Sequence, residues 1–188
     1  MEMNEIFDTL SDVVVRLNDL GAEYMLTGSV AMASYVKAKA TMDIDVIVEI
    51  ERADVQKFER RFADDYYVSL ESIRRALEHR SMFNVINHTT GIKVDFILKK
   101  PNRFESAKFQ RRRVSKIDGI DFWVISKEDL ILSKLAWAKN SHSERQFEDV
   151  RTLLESGADM AMIDSEIQAE GLTEVWRAYL VWKIRIEK

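Results

Sequence analysis

Apolar residues recur every three or four positions along much of this chain and alternate with polar residues in shorter stretches, which predicts a mixture of helices and strands. The predicted helices cover residues 4–20, 29–36, 53–62, 70–80, 127–139, 145–155 and, with a break at Gly171, 160–188. The predicted strands cover residues 23–26, 43–50, 82–87, 92–98, 111–117 and 120–125. The last four strands form two hairpins, and the second turns at Asp118-Gly119. Because the later chain holds only helices, the order indicates an α+β fold.

The order of the predicted elements divides the chain in two, because strands and helices come first and only helices follow from about Ser126. Ser126 with Asp129 three residues on predicts a variant capping box, and Ser143 with Gln146 repeats the pattern. We therefore expect residues 1–125 to form a mixed β-sheet flanked by helices. Residues 126–188 are expected to form a C-terminal helical bundle packed on it.

Composition narrows the class of protein. The chain has 188 residues, of which 46% are hydrophobic and 32% charged, as in ordinary globular proteins. It has no Cys, which excludes disulfides and thiolate metal sites and favours a cytoplasmic location. No apolar run approaches the ~20 residues that span a bilayer, so we expect no membrane partner. The net charge of −4 disfavours nucleic-acid binding through bulk charge, but it leaves room for a local basic patch.

Two carboxylates lie on the predicted strand 43–50. Asp43 and Asp45 are two residues apart, so on a strand both side chains share one face, whereas Ile44 and Val46 take the other. Carboxylates held this close repel each other unless a cation lies between them, which favours a magnesium site. A solvated strand face is the alternative, since one Asp-x-Asp is expected by chance in a chain of this composition.

The dipeptide Gly28-Ser29 lies between a predicted strand and a predicted helix. A glycine there lets the backbone approach a phosphate, and free N–H groups at a helix start favour an anion. Turn geometry alone is the other explanation for the glycine. Asp95 is a lone acid in an otherwise apolar strand, where burial is costly without a partner. It is either a third carboxylate of the same site or a structural acid with its own partner.

With these motifs in place, the chain resembles the nucleotidyltransferases of the DNA polymerase β superfamily, and within it the small AbiEii-like (abortive-infection toxin-like) proteins. The resemblance rests on residues 25–32, 41–46, 126–135 and 143–151, and it extends to 163–176, so it covers nearly the whole chain. It is specific for the fold and superfamily rather than for the substrate. Lys39 stands where such proteins often carry Arg, which keeps a cation but loses bidentate geometry.

The resemblance implies two-metal phosphoryl transfer from an NTP with Mg²⁺ or Mn²⁺. Asp43, Asp45 and Asp95 would hold the metal ions, and Asp95 would take the proton of the attacking hydroxyl. The implied nucleotide contacts are Gly28, Ser29, Lys39 and Lys134, and the implied substrate contacts include Arg145 and Asp149. For Arg145 and Asp149, i,i+4 charge pairing within a helix is an equal alternative.

A basic segment follows the Asp95 strand. Residues 99–116 contain eight Lys or Arg and one acid, Glu105, with two Phe between them. Such a segment can receive RNA or another polyanion. We expect Arg111 and Arg113 to share one face of a strand and to line the cleft. A solvated surface is the alternative.

The expected activity is therefore transfer of a nucleotidyl group from an NTP to a hydroxyl of RNA or protein. The resemblance also suggests the toxin of a toxin–antitoxin pair, with a cognate antitoxin as partner. A non-catalytic antitoxin-like binding module and an aminoglycoside-type small-molecule nucleotidyltransferase are the alternatives, and the presence of all three acids favours an enzyme. The last helix carries an apolar stripe for internal packing or a homodimer contact, formed by Val175, Tyr179, Trp182 and Ile186.

Overall fold

Helices and strands alternate up to residue 125, and helices alone follow. A computed structural model describes residues 3–37, 43–117, 119–141 and 143–187. Its α-helices are α1 Met3–Leu20, α2 Gly28–Met32, α3 Val55–Phe62, α4 Leu70–His79, α5 Arg103–Arg111, α6 Lys127–Ser141, α7 Glu144–Glu155, α8 Met160–Ala169 and α9 Thr173–Ile186. Its strands are β1 Glu23–Thr27, β2 Asp43–Glu49, β3 Tyr66–Tyr67, β4 Met82–Asn87, β5 Lys93–Leu98, β6 Arg113–Ile117 and β7 Ile120–Val124.

In these described ranges the strands form one seven-stranded mixed sheet in the order β3-β4-β5-β2-β1-β7-β6. The chain divides into two compact units. The first contains the sheet with α1 to α5, and the second contains α6 to α9 with the short segment Tyr35–Lys37. The predicted α+β class is confirmed.

Strand β2 lies at the centre of the sheet, antiparallel to β1 and parallel to β5. Its side chains at Ile44, Val46 and Val48 have no exposed surface, as expected for the apolar face of a central strand. Since successive side chains point to opposite faces, the polar residues of β2 lie together on the other face. The alternation read from the sequence thus fixes where the carboxylates lie.

An aromatic cluster packs against the apolar face near β4 and β5. The rings of Phe83 and Phe96 stack at 5.2 Å, and Phe58 of α3 meets both edge-on, at 5.5 and 5.1 Å. Phe62 stacks on Phe58 at 4.7 Å. Because Phe96 points into this cluster, its neighbour Asp95 must point to the opposite face.

Three elements of the first unit differ from the prediction. The helix predicted over 29–36 ends at Met32, because the N–H groups of Ala33 and Ser34 bond three residues back and close the last turn. The strand predicted over 111–117 begins only at Arg113, since α5 extends to Arg111 and Arg112 is its C-cap. The two-residue strand β3 was not predicted. The turn residue Asp118 lies outside the described residues.

The second unit confirms one capping signal and corrects the other. The Ser126 hydroxyl oxygen accepts from the Asp129 N–H at 3.2 Å, and the hydroxyl donates to the Asp129 carboxylate at 2.6 Å. At Ser143 the backbone carbonyl, rather than the side chain, accepts from the Gln146 N–H, so the predicted capping box is wrong there.

The apolar stripe of α9 packs inside the second unit. Val175, Tyr179 and Trp182 are buried, and the Phe147 ring of α7 lies 5.8 Å from the rings of both Tyr179 and Trp182. Ile186 is 44% exposed and stands apart from them. Three of the four stripe residues thus serve internal packing, and a homodimer through this helix stays a prediction. Over the described residues, no helix has the length and apolar character needed to cross a bilayer.

Candidate nucleotide and metal site

A row of polar residues crosses four strands on one face of the sheet. Asp45 of β2 lies opposite Thr27 of β1 and opposite Asp95 of β5, and Asn84 of β4 lies opposite Asp95. Residues directly opposed across paired strands share a face. The pairing of β2 with β5 therefore places Asp45 beside Asp95, as predicted.

A second row lies two residues away on the same face. Asp43 of β2 is the register partner of Lys93 of β5. Asp43, Asp45, Lys93 and Asp95 thus occupy the four corners of a square on two parallel strands. We call these four residues the acid square. Three corners carry carboxylates and the fourth carries an ammonium.

Gly28 touches the acid square from the start of α2. Its φ is +65°, in the left-handed region, and a Cβ built on it would lie 2.0 Å from Oδ2 of Asp45. Any other residue would collide with the carboxylate and strain the backbone. The structure therefore explains the glycine by close approach to Asp45. The expected approach to a phosphate stays a prediction.

Ser29 follows Gly28 as the second residue of α2 and is half-buried. With five residues, α2 is shorter than the helix expected there, so its aligned peptide dipoles are fewer. Local N–H groups and the serine hydroxyl would have to bind an anion at this turn. Lys39, the other predicted nucleotide contact in this region, lies outside the described residues.

Asp95 is the most buried carboxylate of the acid square, with its side chain 8% exposed. Its Oδ2 accepts a hydrogen bond from Lys93 Nζ at 2.7 Å. Its Oδ1 is buried and has no hydrogen-bond partner among the described residues. A buried carboxylate oxygen without a partner is costly, and it is an available ligand for a cation.

Lys93 lies between two of the carboxylates. Its Nζ is 2.7 Å from Asp95 Oδ2 and 3.6 Å from Asp43 Oδ1. The hydrogen bond to Asp95 raises the pKa of Lys93 above its ordinary value, burial opposes this, and the charges of Asp95 and Asp43 add to the rise. Lys93 was not among the predicted site residues. No local pattern marks it, because Lys93-x-Asp95 lies beside Asp43-x-Asp45 only through the strand register.

The carboxylates do not form a ready ligand set as they stand. Within the part of the chain that the structure describes, no three His, Cys, Asp or Glu side chains are arranged to hold a metal ion. Lys93 supplies positive charge at the acid square instead. The three predicted metal ligands share one face and two adjacent strands, and their use as a metal site stays a proposal.

Among the eight Lys and Arg residues of the basic segment, three lysines form ion pairs with carboxylates. Lys99, Lys108 and Lys116 make ion pairs with Glu49, Glu105 and Asp121, at 3.0, 2.6 and 2.8 Å respectively.

The three consecutive arginines of the segment, Arg111 to Arg113, differ in their surroundings. The Arg112 guanidinium stacks over Trp123, 4.5 Å from the ring centre. Arg111 is the last residue of α5, whereas Arg113 is the first of β6. The expectation that these two share one face of a strand is therefore wrong, because a helix end separates Arg111 from the strand. Arg113 is exposed.

The later predicted site residues belong to the second unit. Lys134 of α6 and Asp149 of α7 form an ion pair at 2.7 Å, with side chains 6% and 4% exposed. Arg145 lies one turn before Asp149 and is exposed. The pair joins two helices, and a contact of these residues with nucleotide or substrate stays a prediction.

Comparison with known proteins gives structural neighbours only. No family model matches the chain, and no curated protein matches it. A Thermotoga maritima protein that carries a provisional nucleotidyltransferase assignment is 19% identical, with a TM-score of 0.55 over 77% of this chain and 92% of its own. ANT(2'')-Ia, solved in complex with adenylyl-2''-tobramycin, is 12% identical, with a TM-score of 0.57 over 95% and 99%. The lincosamide antibiotic adenylyltransferase LnuA, solved with lincomycin, is 14% identical, with a TM-score of 0.50 over 81% and 96%. At these identities the likeness establishes the fold: the chain has a nucleotidyltransferase-like α+β fold.

Proposed function

We propose that this protein is a metal-dependent nucleotidyltransferase that transfers a nucleotidyl group from an NTP to a hydroxyl. The observation that carries the proposal is the contact of Gly28 with Asp45, in register with Asp95. A turn that only glycine can form thus sits directly against paired carboxylates. We therefore assign the polyphosphate and its cation to the strand end, the glycine turn and the acid pair.

The acids of the acid square supply the oxygen ligands that a divalent cation prefers, although the described side chains are not arranged around one. Asp43, Asp45 and Asp95 would hold Mg²⁺ or Mn²⁺, and the buried Oδ1 of Asp95 has no other partner in the described chain. The bound metal would neutralise the phosphate charge that develops during transfer. In this proposal, N–H groups at Gly28 and Ser29 bind the phosphate oxygens of the nucleotide. Asp95 accepts the proton of the attacking hydroxyl.

Nucleotide with Mg²⁺ should stabilise the protein, and Asp45→Asn should remove the metal-dependent part. At ligand a hundredfold above Kd the gain is about 2.7 kcal/mol. Thermal unfolding with Mg²⁺ and each NTP measures it. Asp121→Asn is the matched control, since Asp121 is an exposed carboxylate of the same unit that pairs with Lys116. An unchanged metal-dependent shift in Asp45→Asn would contradict the site.

The acceptor that we propose is a macromolecule, RNA or protein, because the basic segment borders the strand of Asp95. The ion pairs of Lys99, Lys108 and Lys116 reduce the positive charge that the segment offers to a polyanion, so a small-molecule acceptor is the second candidate. Of the two antibiotic-related neighbours compared above, ANT(2'')-Ia is named as an antibiotic-resistance factor and LnuA as a lincosamide antibiotic adenylyltransferase. Incubation with labelled NTPs, total RNA, total protein and, separately, aminoglycosides shows which pool takes up label. Nucleotide binding without transfer to any pool would favour the non-catalytic module.

The basic segment gives a sharper test of RNA as the acceptor. If RNA binds there, the affinity must fall with salt, and Arg113→Gln should reduce the slope of log K against log salt by about one. Lys116→Gln is the matched control, because its ammonium is already paired with Asp121. If the slope of log K against log salt is the same in both variants and in the wild type, RNA does not contact Arg113 in this segment.

A toxin role with a cognate antitoxin is supported by the resemblance to AbiEii-like proteins alone. Expression of the wild type should then arrest growth, and expression of Asp45→Asn should not. Arrest by both proteins would separate any toxicity from nucleotidyl transfer.

A further inference from the structure

We infer that Lys93 is a resident counter-cation of the acid square, which holds Asp43 and Asp95 together without metal and gives way when a divalent cation binds. The inference rests on the proposed function, since it concerns the same carboxylates. It goes further because it assigns a role to a residue that is neither a metal ligand nor a nucleotide contact. Lys93 is therefore a positioning residue.

The first support is geometric. Lys93 and Asp95 are two residues apart on β5 and point to the same face, and Lys93 is also the register partner of Asp43. Its Nζ contacts both carboxylates, at 2.7 and 3.6 Å. An ammonium that contacts two carboxylates of adjacent strands supplies the positive charge that a divalent cation would otherwise provide.

The second support is the asymmetry of Asp95. One oxygen binds Lys93, and the other is buried without a partner among the described residues. A single ammonium therefore satisfies only half of this carboxylate. A divalent cation at Oδ1 and a retained lysine at Oδ2 would place three positive charges around one carboxylate, so the two cations compete.

The third support is the reach of the lysine. The Lys93 side chain is 38% exposed, whereas that of Asp95 is 8% exposed. A flexible four-carbon stem at the start of a strand can move its ammonium into solvent at little cost, but the Asp95 carboxylate cannot leave. Lys93 is therefore the member of the pair that moves.

The first experiment is a double-mutant cycle in EDTA that needs no metal. Lys93→Met, Asp95→Asn and the double variant are unfolded with urea, and the coupling is taken from the unfolding equilibrium constants. We expect coupling of about tenfold for this partly buried pair. The same cycle with Lys116→Met and Asp121→Asn is the matched control for an exposed cross-strand pair, with an expected coupling of about twofold. Equal coupling in the two cycles would overturn the inference.

The second experiment measures Mg²⁺ affinity by isothermal titration calorimetry. Mg²⁺ alone, without nucleotide, is titrated into the wild type and the Lys93 variants. Removing the competing ammonium in Lys93→Met should raise Mg²⁺ affinity about tenfold, because a close like charge has been removed. Lys93→Arg keeps the charge and should stay within about threefold of the wild type. Unchanged or weaker Mg²⁺ binding in Lys93→Met would overturn the competition.

The two proposals fail in different ways. If Asp45→Asn loses the metal-dependent stabilisation and Lys93→Met leaves Mg²⁺ affinity unchanged, the proposed function stands and Lys93 has no competing role. If neither the wild type nor Lys93→Met binds Mg²⁺, the metal site and the competition both fail. The cycle in EDTA then still reports whether Lys93 holds Asp95.

Discussion

Two glycines with the same backbone conformation show at the residue scale what is special about the candidate site. Gly21 and Gly28 both have φ of +65°. A Cβ at Gly21 would meet nothing within 4 Å, whereas a Cβ at Gly28 would meet Oδ2 of Asp45 at 2.0 Å. At Gly21, therefore, only the left-handed turn favours glycine. At Gly28 both the left-handed turn and the close contact with the Asp45 carboxylate favour glycine. A comparison of substitutions at the two glycines therefore separates the effect of the Asp45 contact from the effect of backbone conformation.

Gly28→Ala should consequently cost more stability than Gly21→Ala. Both variants carry the strain of a left-handed alanine, about 1–2 kcal/mol. Only Gly28→Ala must also move Asp45, because the clash lies on its carboxylate rather than on a remote flexible end. Urea unfolding measures both variants, and Gly28→Ala should in addition lose stabilisation by Mg²⁺ with NTP.

Gly21→Ala should keep that ligand response in full. Equal losses of stability in the two variants would mean that Asp45 gives way freely. The close approach would then be incidental to binding.

The residues that the sequence could identify were those with a local signal. The two-residue spacing of Asp43 and Asp45 on a strand indicates that they share a face. Gly28-Ser29 is recognisable because it lies between a predicted strand and a predicted helix. Lys93 carried no such signal, because a lysine at the start of a strand is ordinary. Its meaning depends on the register that places it opposite Asp43, and register follows from tertiary pairing.

At the scale of elements, a buried ion pair joins α6 and α7. Lys134 and Asp149 have side chains 6% and 4% exposed and meet at 2.7 Å. Paired charges this deep are expensive to separate, because the charge that remains is desolvated and has lost its counter-ion. The geometry favours a structural role between the two helices over a role in nucleotide binding alone.

Lys134→Met should therefore destabilise the protein by about 3–5 kcal/mol, since it removes the ammonium that forms an ion pair with the buried Asp149 carboxylate. Lys183→Met is the matched control, because Lys183 pairs with Glu187 on an exposed surface. That control should cost less than about 1 kcal/mol. Chemical denaturation at neutral pH compares them.

The double variant with Lys134→Met and Asp149→Leu should recover much of the loss, as expected when a buried pair is replaced by apolar side chains. A small effect of Lys134→Met on stability, combined with a large effect on NTP affinity, would restore Lys134 as a nucleotide contact.

Elements with a clear hydrophobic period were predictable, and α5 shows why others were not. Its sequence is dominated by charge, so no apolar stripe marks it as a helix. It begins because the Asn102 side chain accepts from the Glu105 N–H at 2.8 Å. It is held by the buried Lys108, whose ammonium pairs with Glu105 and lies over the Phe104 ring. Such side-chain pairings are invisible to a period count.

At the scale of the whole molecule, buried tyrosines make stability depend on alkaline pH in both units. Burial raises the pKa of Tyr24 in the first unit and of Tyr179 in the second, each to about 12. Burial also raises the pKa of Tyr66, with a further rise from its hydrogen bond to Asp12. The folded protein therefore keeps these protons at a pH where the unfolded chain releases them. The contribution of these tyrosines to the free energy of unfolding is complete below pH ~10, the ordinary tyrosine pKa. It is lost as the pH rises through the pKa values that the tyrosines have in the folded protein.

Each of these tyrosines should add a slope of about 1.4 kcal/mol per pH unit between the unfolded and the folded pKa. Tyr24→Phe and Tyr179→Phe should each remove one such contribution, measured in the unfolding transition of the unit that contains the residue. Urea titrations between pH 9 and pH 12, a range set by the ordinary tyrosine value of about 10, measure the slope.

At neutral pH the same two variants should differ in sign. The Tyr24 hydroxyl donates to Asn18 Oδ1 at 3.0 Å, so its removal should cost about 1 kcal/mol. The Tyr179 hydroxyl is buried without a hydrogen-bond partner among the described residues, so its removal should leave stability unchanged or raise it. A loss of stability at pH 7 in Tyr179→Phe would show that the hydroxyl has a partner. An unchanged alkaline slope in Tyr24→Phe would show that this tyrosine ionises alike in the folded and unfolded chains, because only a pKa that differs between the two states can couple folding to pH.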